Sequence, residues 1–522
     1  MDFSEQFLST LKHLPLLVGY AEIHYHLKFL YPRYFRKEPE IIADIPIRCV
    51  QARTTSLPIL IIVKDAHLFP VSIKKINILI TGENQEISGI YNIDLPLKIK
   101  YFSKILQVDL SRFQPEQWLN ATVEFHYEIN GKQKLTINDN YPDLIKKPFR
   151  FFYTGNNLPF SKNWFLGDPH YHSIHTSDQV EFGADIPSTK VMAKAMGLDW
   201  FFVTDHSYDL DDCQDNCTKN DPDLPIWKAM KQEVKIADEQ DFRVISGEEI
   251  SIGNNEGKNV HLLAVNHAEF IEGSGDSAEK WFRNRPQHNI SEIKQKQTND
   301  DLFIAAHPFD EIPFAQKLTL RRDSWQPEDF VNGDIKFLQI INSASTDEID
   351  NNILKWTQLL LQGKKYFILA GNDAHGNFNV MRQIKSPFWK LFSSSKQVFG
   401  KFFTAFKFPN NDPVAGIKNG EIIVSNGPFL NFQLQQNKQI HNIGSSCSKG
   451  KATFVYEAVT NIEFGKISKT TLHIGDLTNM QEAKIENPES GKVIDLPECG
   501  YLRMSMKTEK DGLAYTNPIW VV

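Results

Sequence analysis

Two histidines one residue apart, His170 and His172, stand in Gly167-Asp168-Pro169-His170-Tyr171-His172-Ser173, just after the apolar run Trp164 to Leu166. In an extended segment alternate side chains share one face with about 6.5–7 Å between their Cα atoms, so both imidazoles can converge on one cation. Taken alone, such a pair is more often structural. The chain holds its own control in His24-Tyr25-His26, the same spacing in a stretch of helical pattern, where residues i and i+2 do not face each other. The case for a metal rests on the later apolar runs, each of which ends in or contains ligand-type residues: Thr204-Asp205-His206, Gly247-Glu248-Glu249, His261-Leu262-Leu263, Ala306-His307-Pro308 and Gly371-Asn372-Asp373-Ala374-His375. Mixed imidazole and carboxylate sets suit Zn2+, Mn2+ or Fe2+, which lower the pKa of water toward neutrality and so supply a nucleophile without a serine or cysteine. The GxSxG, HExxH and GxxxxGK[ST] signatures of competing chemistries do not occur.

Such residues meet only if the elements carrying them converge. Between 161 and 385 brief apolar runs (Trp200 to Val203, Val244-Ile245, Val260 to Val265, Phe303 to Ala306, Phe337 to Ile341, Tyr366 to Ala370) are divided by helical segments. Pro187 and Gly197 punctuate the first helix, a second runs from Pro225 to Gln240, and a third from Asp347 to Gln362 is closed by Gly363. That alternation predicts a parallel β/α layout, a barrel whose strand ends collect the ligands. Before it, the short runs Leu57 to Val63, Ile76 to Ile80, Ile105 to Leu110 and Ala121 to Ile129 predict a β-sandwich. After 411, Asp412-Pro413 opens a short helix stopped by Gly420, and strands at Glu421 to Val424, Ala452 to Tyr456, Thr470 to Ile474 and Tyr501 to Met506 predict a smaller β domain. The expected organisation is therefore a helical segment over 1–40, a β-sandwich over 41–160, the barrel over 161–410 and a β domain over 411–522.

The whole composition agrees with a folded chain. Its 522 residues are 41% hydrophobic and 23% charged, enough for several domains with their own cores. A net charge of -7 demotes nucleic acid and anionic lipid as partners. Five cysteines without a CxxC pair point to reduced thiols. The stretch Leu14 to Ala21, broken by Pro15 and Gly19, is neither a signal peptide nor a membrane span, which favours the cytoplasm.

The motifs resemble those of the polymerase and histidinol phosphatase (PHP) superfamily, over roughly 161–385. Val424-Ser425-Asn426-Gly427-Pro428 and Thr516-Asn517-Pro518-Ile519 look like the tail of its large-chain branch, which includes carbaryl hydrolase. The resemblance implies a distorted (β/α)7 PHP barrel between an N-terminal β-sandwich and a C-terminal β domain, holding two or three divalent metal ions. It further implies that His170, His172, Glu249 and Asp373 surround one ion, that Glu249 bridges to a second completed by His261 and His307, and that Asp178, His206 and His375 hold a third. The family pattern Gly-x-Glu favours Glu249 over Glu248, which strand alternation turns the other way.

The expected function is that of a metal-dependent phosphoesterase in which a metal-activated hydroxide attacks a small-molecule ester, with Glu249, Asp373 and His375 in the catalytic group. Two alternatives remain: a carboxylic ester or carbamate hydrolase, and a non-catalytic binding protein whose metals stabilise it. Asp205 and Asn372, each beside a ligand, are candidates to orient an imidazole or a metal-bound water. His175 reads either as a substrate contact or as an exposed loop residue, and Arg382 either as a phosphate clamp or as a surface arginine. Cys213 and Cys217 fall in the acidic loop Asp209 to Asp223, read as a lid or as plain solvated loop.

Overall fold

The computed structural model describes residues 38–141, 144, 146–176, 183–214, 216–277, 284–342, 345–385 and 390–522. The expected helical segment and its His24-Tyr25-His26 control therefore lie almost wholly outside the described residues. The first described region is built from strands that alternate inward and outward. In Val71–Thr81 the buried positions switch from Val71 and Ile73 to Ile76, Ile78 and Ile80. A register shift between Ile73 and Lys75 accounts for the switch, since the extra residue lets odd and even positions face the same core. A six-stranded sheet containing Val71–Thr81 packs on the three-stranded sheet Glu40–Asp44, Ser56–Lys64 and Tyr101–Asp109.

The strand Ser56–Lys64 is buried on both faces, which is why its sequence is a continuous apolar run. Leu57, Ile59, Ile61 and Val63 enter the core of the sandwich, whereas Leu60 and Ile62 pack with Trp164, Leu166 and Phe201 of the following region.

That following region departs from the expected architecture. Trp164–Asp168, Trp200–Val203 and Arg243–Gly253 pair in parallel, but Asn259–Val265 returns antiparallel as a hairpin, with no crossover helix. Leu302–Ala306 pairs antiparallel with it, and Phe337–Ile341 and Phe367–Ala370 follow in parallel. The series does not close as a (β/α)7 barrel flanked by separate β units. The edge of Trp164–Asp168 is taken by Phe403–Lys407, and the ladder continues through Ile422–Ser425, Leu513–Thr516, Gly500–Thr508 and Ile467–Asp476 into one 15-stranded sheet. The described residues are 45% strand and 15% helix, so the expectation of a barrel is overturned.

The physical reason lies at the last strand of the series. Thr404 Oγ1 accepts from Ala370 N and donates to Ala370 O, each at 2.9 Å, and the Asn517 amide does the same for Ile368, at 2.7 and 3.0 Å. Side chains of the C-terminal strands thus occupy an edge that a closing strand would need. Among the described residues, Trp164–Asp168 and Phe367–Ala370 meet only beyond their ends, in the bridge between Tyr171 and Ala374. Among the described residues, three helices are longer than ten residues. Ile186–Met196 is capped by Asp185 and ends at Gly197 with φ 86, Pro225–Ala237 follows, and Thr346–Leu361 opens on a capping box of Ser345 and Glu348.

Arg382 corrects a further expectation. Its side chain is 1% exposed, with Nε donating to Asp139 Oδ2 at 3.0 Å and Nη2 to Ala43 O at 3.1 Å. It is a strut between the hairpin strand Met381–Lys385 and the N-terminal sandwich, and it is buried away from solvent. Burial raises Asp44 to a pKa of about 6 despite the neighbouring Arg382 charge. Removing one partner of such a buried pair strands the others, so Arg382→Ala should lower unfolding stability by about 3 kcal/mol in a urea titration while metal content stays unchanged.

Candidate metal centre

Strands and the turns after them supply the groups of the centre. Glu249 lies within Arg243–Gly253, where a bridge to His206 brings the end of Trp200–Val203 alongside. His261 comes from the antiparallel neighbour, whereas His307 and Asp373 each sit just past a strand, in backbone conformations of positive φ, 29° and 50°. Positive φ at non-glycine residues is costly, and here it turns two candidate ligands inward. A Cβ on Gly371 would come within 2.9 Å of the His170 Cβ, so only glycine lets that turn approach the His170 segment.

Four atoms form a compact tetrahedron. His170 Nε2 lies 3.0 Å from His172 Nε2, 3.4 Å from Glu249 Oε2 and 3.2 Å from Asp373 Oδ1, and His172 Nε2 lies 3.2 and 3.0 Å from the same two oxygens. Edges of that length place the vertices about 2 Å from a common centre, the usual zinc-to-nitrogen distance. Glu249 Oε1 faces a different group, His261 Nδ1 at 2.7 Å and His307 Nε2 at 3.2 Å. His172, His206 and His375 make a third cluster. Both ring nitrogens of His206 and Oε2 of Glu249 lack a hydrogen bond although Nδ1 and Oε2 are 3.1 Å apart, as expected of lone pairs aimed at a shared cation. The residues present therefore fit divalent metal ions.

The electrostatics agree. Burial opposes the charge of His170, but Glu249 and Asp373 outweigh it and raise its pKa to about 9. Burial likewise opposes the charge of His261, and Glu249 together with Asp276 carries it up to about 10, against Arg322. His206 goes the other way, to about 4, because burial and the His172 charge dominate. The carboxyls of Glu249 and Asp373 are pulled well below the usual range, burial being overcome by the imidazoles, chiefly His261 and His170 for Glu249 and His170 for Asp373. Glu248 turns away and accepts from Ile271 N at 3.0 Å, and burial holds its pKa well above normal.

Of the nine ligands expected, eight fall in these three clusters, while Asp178 lies outside the described residues. His175 is not an exposed loop residue: it is largely buried and stands 3.4 Å from Glu233 on the helix Pro225–Ala237. Asp205 accepts from Ser173 N, Ser173 Oγ and Thr176 Oγ1, so it orders the loop after His172. Asn372 bonds Asp168 and Phe402. Cys213 belongs to the hairpin Asp212–Cys213 with Asn216–Asn220, and the Cys217 side chain lies outside the described residues.

Sequence reasoning missed five contributors. Asp168 accepts from the backbone N–H of His170, Asn372 and Gly400, tying three segments together, and burial lifts its pKa to about 6. Gln339 Oε1 lies 2.8 Å from His170 Nδ1 and accepts its proton, leaving Nε2 for the centre. Asp276 Oδ2 does the same for His261 Nε2 at 2.8 Å. Gln397 donates to Asp373 Oδ2 at 3.0 Å. Arg322 places Nε 3.3 Å from Asp276 and Nη2 3.3 Å from His261 Nδ1. Asp168 stood inside the motif of His170 and His172 without a role assigned to it, whereas the other four carry no local signal.

An open pocket of about 450 Å³ reaches the centre between His307, Asp373, Arg322 and Gln397, with Asp310, Glu311, Asp347 and Glu348 also in its wall.

No family model matches this chain, and no curated protein matches it. Solved structures similar to it include a β-glucuronidase of Parabacteroides merdae, 9% identical with a TM-score of 0.20, the alignment covering 93% of this chain and 64% of that one. Another is a glycosyl hydrolase family 2 member of Bacteroides cellulosilyticus, 8% identical with a TM-score of 0.14, covering 92% and 63%. The chain spans less than two thirds of either protein, and at these TM-scores neither likeness bears on function.

Because His170 and His261 hold protons up to about pH 9 and 10, a metal ion must displace them. Zn2+ added to metal-free protein at pH 7 should release about two protons per chain, with apparent affinity rising as pH increases toward those values. Calorimetry in buffers of different ionisation enthalpy measures both; pH-independent binding without proton release would count against this account.

Proposed function

We propose that this chain is a metal-dependent hydrolase of phosphoesters, related to the PHP superfamily by its motifs. The observation that carries the reading is Glu249, a buried carboxylate whose two oxygens address different histidine groups, as a bridge between two cations does. When bound, such ions lower the pKa of water and neutralise charge on the attacked group. The chain's own groups have separate tasks. His170, His172 and Asp373 hold one position with Glu249, His261 and His307 the other, and His206 with His375 extends the set toward a third. Gln339, Asp276 and Gln397 would fix the orientation of ligands, and Gln397 also lines the pocket.

Arg322, which also contacts Asp276, replaces Arg382 as the candidate to meet a phosphoryl oxygen, because it lines the pocket beside His307 together with the more exposed Lys396. The ester or carbamate alternative draws on the four carboxylates of the wall, which would not attract a dianion.

Two variants test the reading. Glu249→Gln nearly preserves shape while removing the bridging charge, and should abolish hydrolysis and lower metal content with circular dichroism unchanged. Arg322→Ala should raise KM for a phosphomonoester by about tenfold or more, and by more than it changes KM for a neutral aryl ester, the comparison separating phosphate binding from any loss at His261 and Asp276. Turnover of neutral esters without any phosphoesterase activity would transfer the assignment to the alternative.

A further inference from the structure

A second cavity, of about 660 Å³, lies against another face of the helix Thr346–Leu361, where the C-terminal strands Ile467–Asp476 and Gly500–Thr508 pass beneath it. Asp347, Glu348 and Asn351 of that helix line the pocket at the metal centre, whereas Ile353, Leu354, Thr357 and Leu361 line the second cavity. The two spaces share a wall and no lining residue.

Its chemistry is the reverse of the first. The wall holds Lys469, Lys484, Lys507 and Arg503 against the carboxylates Asp350 and Glu482; with Lys469 paired to Glu486, the excess is one cation. Glu482 is already committed. It accepts two bonds from Arg503, at 2.8 and 2.9 Å, and lies 3.0 Å from His473 Nδ1 and 2.8 Å from the Tyr501 hydroxyl. Its pKa falls to about 2, burial being overcome by His473 and Arg503. Arg503 itself is 2% exposed, donates through Nη2 to Thr357 Oγ1 at 3.0 Å, and leaves Nη1 with no hydrogen-bond partner. Its guanidinium lies 5.2 Å from the centre of the Trp356 ring and supplies a fixed positive charge behind the wall, whereas Lys484 and Lys507 are exposed and can meet an anion directly. Beside these polar groups the wall is apolar, with Leu354 56% exposed at the mouth and Leu361, Met506 and Leu513 also lining the cavity.

We propose that this cavity binds a small amphiphilic anion, a medium-chain carboxylate in type, with its head at the Arg503, Lys484 and Lys507 side and its chain along Leu354 and Leu361. The cavity has the size of an ordinary small-molecule site. Both parts of the ligand are required, because cations alone would hold any anion weakly in water and the leucines alone would not select charge.

The test is a calorimetric titration of the full chain with octanoate, using octanol and acetate as comparators. Octanoate should bind saturably with both comparators at least about tenfold weaker. Lys484→Glu combined with Lys507→Glu, both at exposed positions, should weaken octanoate by at least about tenfold with unchanged thermal midpoint. Glu249→Gln and removal of metal by chelation should leave binding as it was. Absence of saturable binding to about 10 mM, octanol binding as tightly as octanoate, or equal affinity in the lysine variant would each overturn the proposal. Loss of binding on chelation would overturn it as well, by placing the carboxylate at the metal centre.

Discussion

The structure around the site depends on how one buried negative charge is accommodated. Glu249 is 1% exposed, and an unpaired carboxylate at that depth would cost several kcal/mol. Five imidazoles, those of His170, His172, His206, His261 and His307, approach its two oxygens to within 3.4 Å. They arrive from four segments, His170 and His172 sharing one, so compensating a single charge fixes the relative positions of several strands. The imidazoles need compensation in turn. Asp373 sits against His170 and His172, and Asp276 against His261. The result is a chain of alternating charges through an interior that could not hold any one of them alone.

Backbone geometry carries the cost of that convergence. His307 and Asp373 are held at positive φ, and Gly371 passes the His170 segment too closely for a side chain. Strained positions persist only where the surroundings over-determine them. Asp168 is the principal restraint here, since one carboxylate takes backbone donors from the His170 turn, the Asn372 turn and Gly400.

Most of the ligand set was legible because ligand chemistry is written in residue types at strand ends, where apolar runs give way to His, Asp or Glu. What orients the ligands was not, because Gln339, Asp276, Gln397 and Arg322 reach the centre from segments whose local patterns are ordinary. Arg382 shows the converse error: seven residues after His375 in sequence, it nonetheless points into the N-terminal sandwich. The fold was legible as strands and misread as a barrel. Periodicity identifies a strand but not its neighbour, and nothing local told that Phe403–Lys407 would take the edge of Trp164–Asp168. The Asn517-Pro518 segment was noticed as a motif; that its amide would serve as a surrogate strand for Ile368 required coordinates.

An open sheet raises the question of what keeps the centre rigid, since a closed barrel would hold its strand ends by ladder continuity. Here the last strand of the series is held by two side chains, Thr404 and Asn517, each bonding both polar groups of one residue. Beyond it, Asp373 N donates to His170 O at 3.0 Å and His172 N to Ala374 O at 2.9 Å, so the two ligand-bearing turns are bonded directly to each other. Closure is therefore local and confined to the level of the ligands. The contacts of Glu249 and Asp373 with His170 and His172 cross the same level, so the ligand-bearing ends are held to one another by side chains as well as by backbone.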